Sequence, residues 1–470
     1  MSAYDVVVVG GGPAGYACAL RVADHGMSVA LVEADKVGGT CLHRGCVPTR
    51  AMLQAAAIAA TIGAPASRWG IHATLDSLDM TQVLATRDEV VDRNHRAVQG
   101  HLAGRVETLR GRGRLADTRT VVIEGDRVEA KKAVVLAMGS VPRRFAAIEP
   151  DGERVLTSDQ AMRLDRVPGS ALILGGGAIG AEFSQIWAAF GSEVTIIERG
   201  PRLLPFEDEA VGTALARALR RHGINSLVSA HTQQVTVDDD AVHVQLRLGD
   251  KISTRSADVL LLAAGRDPAT EDAGLYTAGI ELSEGYVPVD WNGLETDARG
   301  VYAVGDLLPA PSQARAHVAY AEGMLAAEHI AGRPTTEIDY VNVPRITHGI
   351  IETACVGMSE LEARAEGIEV ETSSAPMAAV AKGLMLGEPG MTKVVAERGG
   401  SVLGVHIVGP NASETIAEAA AIVNYEASAA EAADLVRPHP TLAESAQELY
   451  LAMAGRPLHH RTHGSLERPG

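Results

Sequence analysis

The sequence predicts an α/β protein: two doubly wound parallel-sheet units followed by a smaller α+β module. The first observation is a device used twice. An aliphatic run at 5–9 leads into Gly10-Gly11-Gly12-Pro13-Ala14-Gly15 and a helix-like run at 16–25. A second run at 171–174 leads into Gly175-Gly176-Gly177-Ala178-Ile179-Gly180 and a helix-like run at 181–190. A further strand follows each and ends in an acid: 28–32 into Glu33, then Ala34, and 193–197 into Glu198. In both copies the acid stands 18 positions beyond the last glycine of the turn. The second observation is a change of pattern after residue 340. Residues 368–378 and 392–408 alternate as antiparallel strands, with Gly399-Gly400 as a turn, and helical runs follow at 413–425 and 428–436. The tail 455–470 is polar and belongs at the surface or frays.

Each turn glycine has its own physical task. The first makes the tight turn, the second lets a pyrophosphate approach the backbone, and the third lets helix and strand pack closely. The helix start then offers free N–H groups and partial positive charge to phosphate. The acid accepts ribose hydroxyls. One such motif is weak evidence. Two Gly-rich turns that bind nothing would leave the paired acids unexplained, so two dinucleotide sites are the better reading.

Bulk properties agree. A chain of 470 residues suits about three domains. A net charge of −17 argues against nucleic-acid or anionic-membrane surfaces. No apolar run approaches the roughly 20 residues that span a bilayer. The N-terminus lacks a basic region before its apolar run, which points to a buried strand in a cytoplasmic protein. Four cysteines do not make a disulfide scaffold.

Two of them, Cys41 and Cys46, share the glycine-flanked loop 38–50. They could be a buried pair. Zinc would want four ligands, and no second cysteine pair exists, so no metal site is expected. A redox pair fits better, because the loop opens an apolar helix from Arg50 onward and a helix start favours thiolate. Cys18 and Cys355 read as inert core residues.

The segment GGTCLHRGCVPTR at 38–50 resembles the redox signature of the flavoprotein disulfide reductases, the class I pyridine nucleotide-disulphide oxidoreductases, and most of all that of the dihydrolipoyl dehydrogenases. The resemblance extends over nearly the whole chain. Residues 137–142 and 263–268 resemble the two segments joining the nucleotide regions, 301–306 the second FAD motif, Ala316-His317 the step beside the flavin, and 439–444 the His–Glu segment. The resemblance implies an FAD-binding domain at 1–148, an NAD-binding domain at 149–270, a central segment 271–340 completing the FAD domain, an interface domain at 341–462 and a tail 463–470.

It also implies site residues. Cys41 is the exchange thiol, Cys46 the flavin-facing thiol, and His439 the acid–base group oriented by Glu444. FAD falls to Gly10, Gly12, Pro13, Ala14, Gly15, Glu33, Ala34, Gly39, Thr40, Arg50, Gly113, Met138, Gly139, Ser140, Gly305, Asp306, Ala314, Ala316 and His317. NAD falls to Gly175, Gly177, Ala178, Ile179, Gly180, Glu182, Glu198, Val235 and Gly265. The implied assembly is a homodimer whose histidine serves the partner subunit's cysteines. The implied substrate is dihydrolipoamide on a lipoyl-bearing protein, with a 2-oxo acid dehydrogenase complex as partner.

The chain also departs from the family pattern. Arg50 stands where a lysine paired with the acid at Glu182 is usual, and Arg437-Pro438 where a histidine and a small residue are usual. Ile351 replaces a proline, and the segments 347–352 and 307–313 are longer than usual. All but position 50 fall near the expected substrate channel or interface, so another small dithiol or disulfide is the alternative substrate. No vicinal cysteine pair follows Cys355, unlike a mercuric reductase. Glu198 would repel a 2′-phosphate and favours NAD, although Arg199 is adjacent.

Overall fold

The structure, a computed structural model, describes residues 2–62, 64–145 and 147–460. It divides into two compact units. The first is Met1–Met52, Thr81–Arg144 and Gly265–Tyr340; the second is Leu53–Met80, Phe145–Ala264 and Val341–Gly470.

In the first unit a parallel sheet runs Glu107–Arg110, Val29–Glu33, Ser2–Val9, Asp126–Leu136 and Val301–Ala303. Thr120–Ile123 and Gly113–Leu115 extend it antiparallel. Val6 pairs with Val29 on one side and Ala133 on the other, so the strand is central. Val6, Val7, Val8 and Val9 are all at most 3% exposed. A parallel strand covered on both faces needs an unbroken apolar run, which is why this stretch does not alternate. Each such side chain contributes about 1.5–3 kcal/mol by leaving water.

The helix Pro13–Asp24 begins three residues before the sequence reading placed it. Proline at the first helical position costs nothing there, because its missing N–H has no partner in the first turn. The helix buries Ala14, Gly15, Cys18, Ala19 and Val22, one stripe at helical spacing. Gly10 needs its glycine: its φ is +105°, and a Cβ there would lie 2.3 Å from Ala137 O. A Cβ on Gly15 would lie 1.8 Å from Gly10 O, so strand end and helix start touch backbone to backbone.

The second unit repeats the device. Its parallel sheet runs Asn225–Leu227, Glu193–Ile197, Ser170–Leu174, Val259–Leu262 and Val155–Thr157. A separate antiparallel meander follows, Ala230–Val237, Val242–Leu248 and Lys251–Ala257. The α+β module is a five-stranded antiparallel sheet in the order Arg345–Thr347, Glu352–Gly357, Val402–Gly409, Met391–Glu397 and Val370–Pro376. Its hairpin turns at Gly399 and Gly400, and the helices Ala412–Asn424, Ala429–Asp434 and Glu444–Met453 follow.

One row of this sheet carries charge inside the unit. Arg345, Cys355, His406 and Lys393 are successive cross-strand partners. Lys393 Nζ reaches Asp208 Oδ1 at 3.0 Å and Oδ2 at 2.9 Å, and Glu360 Oε2 at 2.9 Å. Arg345 Nε meets Glu207 Oε2 at 3.0 Å. Burial pushes the Asp208 carboxyl up, but Lys393, His406 and the amides of Ala210 and Glu360 outweigh it and hold it below the usual range. Removing one partner of a buried pair strands the other charge. Lys393→Met is therefore expected to destabilise the module by about 3 kcal/mol. Amide hydrogen exchange in Met391–Glu397 and Val402–Gly409 measures it; unchanged protection would show that the row is not needed for stability.

Candidate active site

Both fingerprint turns are built around a carboxylate clamp. Gly11 N donates to Glu33 Oε2 at 2.7 Å and Asp35 N to Glu33 Oε1 at 2.7 Å. Gly176 N donates to Glu198 Oε2 at 2.6 Å and Gly200 N to Glu198 Oε1 at 2.5 Å. One amide per oxygen leaves each carboxylate with free lone pairs for ribose hydroxyls. Gly12 and Gly177 cap their helices without a side-chain bond, so the first-turn amides remain available to phosphate. A Cβ on Gly12 would meet nothing closer than Gly39 Cα at 4.0 Å, and one on Gly177 meets nothing within 4 Å. Pro13, Ala14 and Gly15 lie in the first of these helix turns, and Ala178, Ile179 and Gly180 in the second. Ala34 is exposed beside the first clamp, next to a groove of about 420 Å³ lined by Glu33, Lys36, Gln99, Thr108 and Arg110.

Other candidate residues fall around the first clamp's unit. Gly113 opens the strand Gly113–Leu115, against Val9 and Val32. Gly305 and Asp306 form a short turn after Val301–Ala303. Asp306 Oδ2 accepts from Ser140 Oγ at 2.5 Å, and Arg266 Nε donates to the same Ser140 Oγ at 2.8 Å. Met138 and Gly139 lead into the strand Ser140–Pro142. Ala314 precedes the helix Ala316–Ile330, whose first turn holds Ala316 and His317. Gly265 belongs to this unit, where the Arg143 guanidinium closes over it. Val235 is half-buried in the meander.

Sequence reasoning missed Glu322. It is fully buried and accepts from Gly305 N at 2.7 Å, Ser312 Oγ at 2.6 Å and Tyr340 Oη at 3.0 Å. It props the Gly305–Asp306 turn from behind. The available signal was a lone acid on the apolar face of Ala316–Ile330.

Cys41 lies in the short helix Gly39–His43, and Cys46 is the first residue of the helix Cys46–Thr61. Gly39 and Thr40 stand in the same short helix, and a Cβ on Gly39 would come within 2.7 Å of Gly12 Cα, so the redox loop lies directly on the first turn. The thiols are not joined; they hydrogen-bond to each other. That bond, with burial, pushes the Cys41 thiol well above its ordinary value, against the lowered value expected from the helix start, while Arg50 opposes the rise. His43 Nε2 and His95 Nδ1 both reach Val37 O, at 2.9 and 3.0 Å, and anchor the loop. Cys18 and Cys355 are fully buried, and burial pushes both thiols up, that of Cys18 to about 12.

The His–Glu pair lies in the second unit. His439 Nδ1 meets Glu444 Oε1 at 2.7 Å, and Thr441 N donates to Glu444 Oε2 at 2.7 Å. Burial pushes the Glu444 carboxyl up, but His439 and the Thr441 amide outweigh it and hold it low. With Nδ1 engaged, Nε2 of the exposed His439 ring is left to face outward. Glu182 accepts from His348 N at 3.1 Å.

Two departures take on a meaning the sequence did not show. Arg437, expected near the substrate channel or interface, is buried, bonded to Ala432 O at 3.0 Å, Leu435 O at 3.1 Å and Glu418 Oε2 at 3.2 Å, and lies over the Tyr450 ring. It braces the segment leading into His439. Ile351, fully buried, donates its N–H to Gln185 Oε1 at 2.8 Å, a bond that a proline there could not make. The tail to residue 460 is tied down, with Glu448 accepting from His459 N at 2.8 Å and His460 N at 3.1 Å; residues 461–470 lie outside the described residues.

Residues 4–323 match the family model described as pyridine nucleotide-disulphide oxidoreductase, and residues 343–450 match its dimerisation domain. This chain belongs to the pyridine nucleotide-disulphide oxidoreductase family. It is 35% identical to a dihydrolipoyl dehydrogenase of Bacillus subtilis, covering 97% of this chain and 99% of that protein. It is 37% identical to that of Thermus scotoductus, covering 98% and 99%. Among solved structures it is similar to LpdA of Mycobacterium tuberculosis, with TM-score 0.86 and 28% identity over 96% of this chain and 99% of that one. It is also similar to RclA of Escherichia coli, an HOCl-induced flavoprotein disulfide reductase, with TM-score 0.83 and 25% identity over 95% and 99%.

The protein is thus an FAD- and NAD(H)-dependent oxidoreductase of the dihydrolipoyl dehydrogenase type. The match to the dimerisation domain supports a homodimer. The uncapped first helix, the Glu33 clamp and the propped Asp306 turn fit FAD; the uncapped second helix and the Glu198 clamp fit NAD. Among the described residues no cluster of three His, Cys, Asp or Glu could hold a metal, and no helix is long and apolar enough to cross a membrane.

Glu322 makes the FAD side pH-sensitive. Burial raises its carboxyl from 4.5 to about 7, against the hydrogen bonds it accepts. Folding therefore favours the protonated form. The stability this contributes is complete below about pH 4.5 and lost as pH rises through about 7, a loss of about 3 kcal/mol. Glu322→Gln keeps the packing and cannot ionise. Its melting temperature relative to the native chain should rise steadily from pH 4.5 to 7; a pH-independent difference would show that Glu322 stays ionised in the fold.

Proposed function

We propose that this protein oxidises dihydrolipoamide, carried on a lipoyl-bearing protein of a 2-oxo acid dehydrogenase complex, through Cys41 and Cys46. The observation that carries this reading is the thiol pair itself. The two sulfurs are in hydrogen-bond contact at consecutive helix starts, with a cation at Arg50 acting on Cys41. Such a pair can close to a disulfide and reopen without moving the scaffold.

The residues then divide the work. A thiolate of the substrate attacks Cys41 Sγ; the Cys41–Cys46 bond breaks and Cys46 leaves as thiolate. The second substrate thiol attacks the mixed disulfide, closes the substrate's own disulfide and releases Cys41 as thiolate. His439 takes the proton from the first attacking thiol through Nε2, releases it to solvent from its exposed ring, and then takes the second, while Glu444 fixes the ring and stabilises its cation. FAD and NAD⁺, when bound, supply the two-electron relay from the thiols to the nicotinamide. Glu33 orients the adenosine end of one and Glu198 that of the other. The buried positions of Arg437 and Ile351 support the dihydrolipoamide reading, because these departures are packing struts rather than groups offered to a substrate.

The deciding assay is turnover of free dihydrolipoamide with NAD⁺ beside other small dithiols. Dihydrolipoamide should lead the panel in kcat/KM; a clear preference for another dithiol would refute the substrate. NADH should be preferred over NADPH by about two decades, since Glu198 faces the 2′-phosphate as a like charge. Equal efficiency would implicate the exposed Arg199 as a phosphate clamp. In the homodimer we assign His439 to the thiol pair of the other chain. Exchanging Cys41→Ser and His439→Gln subunits should then restore one intact site per heterodimer, and activity well above either parent. Heterodimers as inactive as both parents would place His439 in its own chain's site.

A further inference from the structure

Two histidines share one backbone atom at the entrance to the redox loop. His43 Nε2 lies 2.9 Å from Val37 O, and His95 Nδ1 lies 3.0 Å from the same oxygen. A carbonyl oxygen can only accept, so both nitrogens carry hydrogen, and the two bonds fill its two lone pairs. The rings meet edge to face with centroids 5.0 Å apart. Val37 is buried and both histidines are half-buried. His43 ends the short helix Gly39–His43 that carries Cys41. His95 stands far along the chain, on the helix Met80–Leu102.

The shared carbonyl is the last one before a hinge. Gly38 follows with φ +104° and Gly39 with φ +58°. Two successive glycines in the left-handed region have no side chains to restrain the chain. Before them the loop is tied to the first nucleotide turn, where Gly38 N donates to Gly11 O at 2.7 Å. Beyond them comes the turn with Cys41. His43 reaches back over both glycines and closes 37–43 on itself, while His95 holds the same carbonyl from outside. Cys46 needs no such restraint, because it begins the long helix Cys46–Thr61. Cys41 is therefore the sulfur whose place depends on the two histidines.

A disulfide tolerates only a narrow range of sulfur positions, with S–S about 2.05 Å, whereas a dithiol tolerates many. Any restraint that keeps Cys41 beside Cys46 therefore favours the disulfide. We propose that His95 is a positioning residue for the redox pair: with His43 it clasps the Val37 carbonyl and so holds Cys41 ready to close on Cys46. The inference rests on Cys41 and Cys46 being the exchange pair. Neither histidine exchanges a proton with substrate; each only donates to the carbonyl.

The test is the equilibrium of the pair with dithiothreitol in the holoenzyme. One dithiothreitol closes to its own disulfide as the Cys41–Cys46 bond opens to two thiols, and alkylation with peptide mass counts the open form. His95→Leu and His43→Leu should each shift this equilibrium towards the dithiol roughly tenfold, about 30 mV in the potential of the pair. Asparagine places an N–H where Nδ1 stood and glutamine one where Nε2 stood, so His95→Asn and His43→Gln should recover most of the native value. The two bonds act in series through one atom, so the double leucine variant should shift no further than the worse single variant. His95 also lines the groove beside Glu33, so flavin content and melting temperature are matched to the native protein first. His43 does not line that groove, and its two variants carry the test if His95→Leu loses flavin. An unchanged equilibrium in a flavin-loaded leucine variant overturns the clasp. So do rescue variants displaced as far as the leucine ones, or single effects that multiply in the double variant. All three outcomes leave the exchange reading intact. If the native protein forms no Cys41–Cys46 disulfide in oxidised dithiothreitol, that reading falls and the clasp with it.

Discussion

A carboxylate held by the amide of a glycine turn organises this protein, and it is used twice. Glu33 on Gly11 and Glu198 on Gly176 join the end of the second strand to the turn after the first. The join is possible only because the turns lack side chains: a Cβ on Gly11 would come within 2.9 Å of Glu33 Oε2, and one on Gly176 within 3.1 Å of Glu198 Oε2. Each clamp orients the acid, leaves the helix start uncapped, and points both at one space. The redox loop then lies on the first turn through Gly39, so the thiols inherit their position from the same contact.

Charge is handled differently in the two units. In the first, the buried acid Glu322 is satisfied by an amide and two hydroxyls, with no cation among the groups bonded to it. Desolvation therefore wins, and its carboxyl titrates near neutrality. In the second, Asp208 is nearly as buried but meets Lys393, and the ion pair wins. The same chemistry of burial gives a proton-binding prop beside one nucleotide site and a fixed ionic strut in the α+β module. Glu444 is an intermediate case: partly buried, paired with a histidine, and left able to stabilise a charge that forms on it.

Local sequence determined a great deal here. The apolar runs 5–9 and 171–174, their glycine turns and the acids 18 positions later announced both parallel sheets, because each feature satisfies a constraint within one strand–turn–helix unit. The cysteine spacing marked a redox loop, and His439 with Glu444, five positions apart, formed a pair that local backbone could bring together. What only the tertiary structure decided involves partners far apart in the chain. Glu322 props Gly305 beside a hydroxyl from Tyr340, and Tyr16 meets Tyr320 across 304 positions. Arg437 is a strut because Glu418 and Tyr450 surround it, and Ile351 proved to be a donor to Gln185 from 166 positions away. Such pairs have no periodicity or spacing to betray them. They exist because the folded backbone places two polar groups in one desolvated space, where each must find the other or go unsatisfied.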